Sequence, residues 1–238
     1  MAFDSGNRWT ARTAVPQADI DVGLRQYMLR VYNYMAAGLA LTGGVAYAAW
    51  DIGFYQNIQG TPLVWLIMLA PLGFVLVLSF GIQRLSLGAA QLTFWAFAAI
   101  MGLSLSWIFL RYTGTSIARV FFISAGTFAA MSLYGYTTQR DLTGMRSFLL
   151  MGLFGLIIAG VVNMFLVSPA LYFATSVIGV LIFVGLTAYD TQRIKELYIE
   201  SDGAEIAGKK AIMGALALYL DFINLFLYML RFLGDRRS

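Results

Sequence analysis

Seven long apolar stretches separated by short polar links set the pattern of this 238-residue chain. They run approximately from Tyr27 to Trp50, Pro62 to Ile82, Gly88 to Leu110, Ser116 to Thr137, Met145 to Val167, Leu171 to Tyr189, and Ala211 to Phe232. Each approaches the roughly 20 residues that a helix needs to cross a hydrocarbon core. The pattern predicts an all-α membrane protein, a seven-transmembrane-helix bundle over residues 27–234, with a polar N-terminal tail over residues 1–26 and a short C-terminal tail over residues 235–238. The first 26 residues carry Asp4, Arg8, Arg12, Asp19, Asp21 and Arg25 and lack the layout of a signal peptide, so they read as a mobile tail. The longest internal polar link, from about Thr191 to Lys210, mixes both charges and reads as a solvated loop; no soluble second domain is expected.

Composition strengthens this picture. Hydrophobic residues make up 60% of the chain and charged residues 12%, whereas a soluble domain carries about 25% charged residues. Without cysteine or histidine, disulfides, thiolate nucleophiles, Cys-ligated zinc and the commonest general base are all excluded, and no enzyme activity or resident cofactor is expected. The net charge of +4 comes from basic residues scattered between apolar runs, which argues for a membrane and against nucleic acid.

Basic residues near membrane ends set orientation. With the N-terminus in the cytoplasm, 11 of the 16 basic residues fall on the cytoplasmic side: Arg8, Arg12, Arg25, Arg30, Arg84, Arg140, Arg146, Arg193, Lys195, Lys209 and Lys210. Arg111, Arg119, Arg231, Arg236 and Arg237 fall outside. Seven spans place the C-terminus outside, against the preference of its own arginines, a conflict that a re-entrant last run would relieve. Trp50, Trp65 and Trp107 read as interfacial anchors. Gly38, Gly43, Gly44, Gly152, Gly155 and Gly160 read as small faces for helix packing.

The informative residues are acids inside apolar runs, because an intramembrane charge is costly and usually faces the bundle interior. Asp190 ends the sixth run and Asp221 lies about ten residues into the seventh. From position alone Asp190 reads equally well as a solvated helix end. Asn224, three residues beyond Asp221, shares its helical face. Two carboxyl groups in a low-dielectric setting cannot both ionise cheaply, so the pair is expected to titrate as a unit and to rest with one shared proton. A cation that takes several oxygen ligands would find some of them in Asp190, Asp221, Asn224 and backbone carbonyls, so protons and such a cation would compete there.

At these residues the chain resembles the Bax inhibitor-1 (transmembrane Bax inhibitor motif) family. The resemblance is carried by Ala-Tyr-Asp-Thr-Gln-Arg-Ile around Asp190 and by Leu-Tyr-Leu-Asp-Phe-Ile-Asn-Leu-Phe-Leu-Tyr-Met-Leu-Arg-Phe-Leu-Gly from Leu218 to Gly234. Met101-Gly-Leu-Ser-Leu and Asn163-Met-Phe-Leu-Val-Ser-Pro add weaker support. The resemblance implies a last helix ringed by the other six, and a pH-sensitive calcium leak gated by paired carboxylates, here Asp190 and Asp221. It also implies an arginine near the second helix bonded to the pair. Arg84 is the candidate at that point, although its spacing to Gly102 departs from the family pattern. Eukaryotic members are linked to cell-death suppression; the short tails here resemble a bacterial inner-membrane member.

Other functions fit less well. An intramembrane aspartyl protease would match at Tyr189-Asp190, but Leu218-Tyr-Leu-Asp221 lacks the Gly-x-Gly approach and no Pro-Ala-Leu follows. A retinal protein would need an interior lysine in the last helix. A proton-coupled cation exchanger fits the apolar runs equally well, and a role in regulating a membrane-protein partner is compatible with either. The expected partners are thus the lipid bilayer, calcium and protons, and a membrane protein.

Overall fold

A computed structural model describes residues 17–237. The described residues form α1 (Gln17–Asp51), α2 (Phe54–Ile58), α3 (Leu63–Gly81), α4 (Leu87–Leu105), α5 (Ile108–Arg111), α6 (Gly114–Thr137), α7 (Thr143–Leu166), α8 (Pro169–Glu196) and α9 (Ala204–Leu233). Local sequence chemistry starts several of these helices. Ser86, Thr113 and Ser168 accept hydrogen bonds from the backbone N–H groups of Ala89, Ser116 and Leu171, and Pro169 occupies the first turn of α8, where its missing N–H costs nothing.

Six segments are long and apolar enough to cross a membrane: α3, α4 with α5, α6, α7, α8 and α9. The long helix outside that set is α1, which carries Arg25, Arg30 and Asn33. Leu66, Phe80, Phe148, Phe154 and Phe165 stand exposed on α3 and α7. Apolar faces of this extent are covered by lipid; the protein is an integral membrane protein. The burial of the helices is uneven. In the most apolar stretch of α9, 67% of residues are buried, against 11% in α3 and in α7. α9 lies against α1, α3, α4, α6 and α8, while α7 packs on α8 and α3 packs chiefly on α4.

The structure moves several boundaries. Of the 26 residues read as a tail, those from Gln17 onward belong to α1; residues 1–16 and Ser238 lie outside the described residues. The third run is interrupted after Leu105. The Ser104 and Ser106 hydroxyls donate to the carbonyls of Met101 and Leu103, the kind of local bond that competes with the helical ladder. The solvated loop from Thr191 to Lys210 is mostly helix: α8 runs on to Glu196, α9 begins at Ala204, and the link between them is Leu197–Gly203. Lys210 Nζ closes this link by donating to Leu197 O at 3.0 Å and to Asp202 Oδ2 at 2.6 Å. Finally, α9 is one continuous helix of 30 residues, about 45 Å long, so the last run is not re-entrant.

Close helix contact also rests on other glycines than those first read as small faces. A side chain at Gly43, Gly44, Gly155 or Gly160 would meet open space, whereas Gly38 and Gly152 do face neighbours. The tightest approach that bears on the acidic residues is at Gly135 of α6, where any Cβ would collide with the carbonyl of Ala188 on α8. Gly135 thus lets two backbones touch two residues before Asp190.

Candidate functional site

α8 carries Asp190 six residues inside its C-terminal end, and α9 carries Asp221 near its middle. Asp221 is 4% exposed and Asp190 is half-buried. The two carboxyl groups are brought together, close enough for a side-chain hydrogen bond. Such a bond requires a proton on one of them, since an ionised carboxylate only accepts. Asp221 Oδ2 is fully enclosed and no N–H or hydroxyl among the described residues donates to it. A carboxylate stripped of water and left without a partner is strongly disfavoured. A proton held between the two acids would supply the satisfaction that no other group among the described residues provides.

The flanks of the pair are polar on one side and apolar on the other. Thr187 and Thr191 bracket Asp190 on α8 and are both fully buried. Thr187 Oγ1 donates to Phe183 O at 2.7 Å. Thr191 Oγ1 lies 2.9 Å from Ser132 Oγ, which lies 2.8 Å from Tyr32 OH, a chain of hydroxyls running from α8 through α6 to α1. Beyond it, Gln192 Oε1 accepts from Leu142 N and its Nε2 donates to Arg140 O, both at 2.8 Å, while Lys195 Nζ donates to Tyr136 O at 2.9 Å. The segment after Asp190 is thus held rigidly against α6 and the α6–α7 link. Around Asp221, by contrast, Leu218, Phe222 and Leu225 are buried, and Phe222 packs edge-on against Phe121 and Phe128.

Of the two other polar residues expected at the pair, neither is bonded to it. Asn224 Nδ2 donates back to Leu220 O on its own helix at 2.8 Å. Arg84 lies in the exposed turn between α3 and α4, and among the described residues no ion pair joins it to either acid. The cations whose fields reach Asp190 are instead Arg193, one turn further along α8, and Arg146, in the first turn of α7. Arg193 at i+3 was readable from the sequence. So was the α6 face, where Ser116, Val120, Ser124, Phe128 and Ser132 recur every four residues. The contribution of Arg146 has no local signal, because it depends on how α7 packs. No group of three or more acidic, His or Cys residues converges among the described residues; the carboxyl pair is the densest acidic site in the bundle interior.

Comparison with known proteins identifies relatives of the chain. A family model described as inhibitor of apoptosis-promoting Bax1 matches residues 24–238. An uncharacterized protein of Rickettsia prowazekii is 53% identical over 230 residues, covering 96% of this chain and 98% of that protein. The inner membrane protein YbhL of Escherichia coli K12 is 48% identical over 219 residues, covering 90% of this chain and 94% of its own length. An uncharacterized protein of Caulobacter vibrioides is 44% identical over 246 residues, covering 98% of each.

Proposed function

We propose that this chain, which belongs to the Bax inhibitor-1 family, is a pH-sensitive, calcium-permeable leak channel of a bacterial inner membrane, closed by the proton that Asp190 and Asp221 share. The observation that carries the reading is the pair of carboxyl groups brought within reach of each other between α8 and α9, with one enclosed Asp221 oxygen to which no described N–H or hydroxyl donates. Removing the shared proton does two things at once. It deletes the hydrogen bond between the helices and it leaves two negative charges in a poorly solvated site, where at about 4 Å they repel by about 4 kcal/mol at an effective dielectric of about 20. The helices must then separate, or a cation must take the place of the proton. Both outcomes favour passage of a divalent cation, so flux rises with pH. Two carboxylates give fewer oxygens than the six to eight that calcium prefers, which suits an ion that pauses and leaves, its remaining ligands being water or backbone.

In this reading α1 is the seventh span and α9 the central strut. Along α1, Tyr27, Met28, Val31, Met35, Thr42, Ala46 and Ala49 are buried, and the helix lies along α4 and α9. The N-terminus and the Leu197–Gly203 link face the cytoplasm, and the C-terminus is external. The Escherichia coli relative YbhL, an inner membrane protein, supports that location. Purified protein in liposomes loaded with a calcium dye tests the function. Wild-type flux should increase as pH rises and persist when proton gradients are collapsed, whereas Asp221→Asn, whose amide still donates to Asp190, should stay low at every pH. Identical pH profiles for both proteins would refute the gate; flux that vanishes with the proton gradient would favour an exchanger.

A further inference from the structure

Five arginines gather at the end of the bundle that carries the C-terminus. Arg119 is committed to Asp235, at 2.9 Å. Among the described residues Arg111, Arg231, Arg236 and Arg237 have no carboxylate within ion-pair distance. Three of them lie over aromatic rings instead: Arg231 over Tyr172 and Tyr228, Arg236 over Tyr172, and Arg237 over Trp50. Such contacts fix a guanidinium in place while leaving its charge unneutralised.

Two of these cations, Arg111 and Arg231, line a cavity of about 500 Å³ bounded by α5, α7, α8 and α9. Its composition is divided. Tyr172 joins the arginines at one end, while Leu156, Val161 and Met164 of α7 make an apolar wall. Val161 and Met164 are exposed, so the cavity opens sideways to lipid as well as towards the membrane surface. From Leu156 to Met164 the helix rises about 12 Å, most of the roughly 15 Å that one leaflet of the hydrocarbon core provides. A cationic mouth over an apolar slot of that depth has the shape and charge of one membrane component.

We propose that this cavity binds an anionic phospholipid, its headgroup phosphate held by Arg111 and Arg231 and one acyl chain lying along α7. The planar guanidinium fork matches a phosphate in two parallel hydrogen bonds. The occupant also accounts for arginines that, among the described residues, have no acidic partner. Gly160 lines the same cavity and faces open space, so the chain can approach the α7 backbone there.

The test uses the purified full-length protein in neutral detergent, with thermal unfolding followed during titration with short-chain phosphatidylglycerol, short-chain phosphatidylcholine or inorganic phosphate. Phosphatidylglycerol should raise Tm in a saturable way, and the other two should not. The double variant Arg111→Gln with Arg231→Gln should need at least about tenfold more phosphatidylglycerol for the same rise. Gly160→Leu fills the slot without touching any charge and should cause the same loss, which keeps the test open if the arginine variants fold poorly. Arg84→Gln, at the other end, should respond as wild type. An equal rise with phosphatidylcholine, a rise with inorganic phosphate alone, or an undiminished rise in Gly160→Leu would each overturn the proposal.

Discussion

If one proton serves both acids, the two positions are not separable. The perturbation is a double-mutant cycle: Asp190→Asn, Asp221→Asn and the combination. In the wild type, losing the shared proton trades a hydrogen bond for like-charge repulsion of about 4 kcal/mol at about 4 Å and an effective dielectric of about 20. At 1.4 kcal/mol per decade, this shifts the balance between joined and separated carboxyl groups by about three orders of magnitude. Either single substitution removes the second charge and with it the whole repulsion, so each alone should abolish the pH-driven rise in calcium flux. The double variant should lose nothing more. In free-energy language the coupling should equal the entire effect of one substitution, because each breaks the same unit. The assay is initial calcium entry into liposomes across a pH series, with protein incorporation matched. Single variants that each lose about half of the pH-dependent flux, and a double variant that loses the sum, would show two independent sites and refute the shared proton.

Further tests address the frame around the pair. Gly135→Ala should force α6 away from Ala188, costing about 1–3 kcal/mol as overpacking does; this is read as a lower Tm, with Gly155→Ala as a control that meets open space. The Tyr219 hydroxyl is buried and lies 2.6 Å from Thr42 Oγ1, whose own proton faces Gly38 O and Ala98 O at 2.9 and 2.8 Å. Tyr219→Phe removes one donor and leaves Thr42 satisfied, so it should cost only about 1 kcal/mol, whereas a loss several times larger would show that the network acts as a unit. Asp141, in the exposed α6–α7 link, is held below the usual carboxylate range by hydrogen bonds from the Thr143 side chain and backbone N–H. Its lowered value means that the contact contributes above the unfolded-state value and is lost as pH falls through the folded one, so the protection factor for hydrogen exchange at the Thr143 amide should fall in acid, and Asp141→Ala should lower it at neutral pH. For orientation, single cysteines replacing Arg84 and Arg237 in this cysteine-free chain should label from opposite faces of the membrane, and labelling from one face would overturn the proposed topology.

Much of the fold was legible because lipid imposes a simple requirement, about 20 apolar residues per crossing, and six stretches meet it. What the apolar count misses is where a helix continues beyond the hydrocarbon. Gln192 and Ile194 are buried and Lys195 is tied to Tyr136 O, so α8 carries on through residues whose polarity suggested a loop. That extension changes the meaning of Asp190. It is a side chain six residues inside a helix, facing α9, where composition alone left it equally readable as a solvated end. Asp221 was the easier case, as an acid within an apolar run has few places to go. Their neighbours were less accessible. Of the cations near Asp190, Arg146 depends on the register of α7 against α8, and the arginine suggested by resemblance is in a turn that does not bond to the pair.

The arginines at the end of the bundle that carries Leu233 show why a count of charges and a fold can disagree. Orientation statistics treat each Lys or Arg near a membrane end as a free cation. Here the chain after Leu233 is built into the bundle: Asp235 N donates to Ser116 Oγ at 2.8 Å, Thr113 N donates to Asp235 O at 3.2 Å, and Arg237 N donates to Arg111 O at 3.0 Å. The side chains follow the backbone, one arginine pairing with Asp235 and three lying over Tyr172, Tyr228 or Trp50. A cation held this way has a structural reason to be at its end of the molecule that no loop charge has. With α9 continuous from Ala204 to Leu233, moving these arginines to the other side would require turning over the whole bundle, which would carry the more numerous basic residues around Arg30, Arg84, Arg140, Arg146 and Arg193 with it in the opposite direction. In the proposed orientation the larger cluster faces the cytoplasm, and the smaller one is retained at its end of the bundle by its contacts.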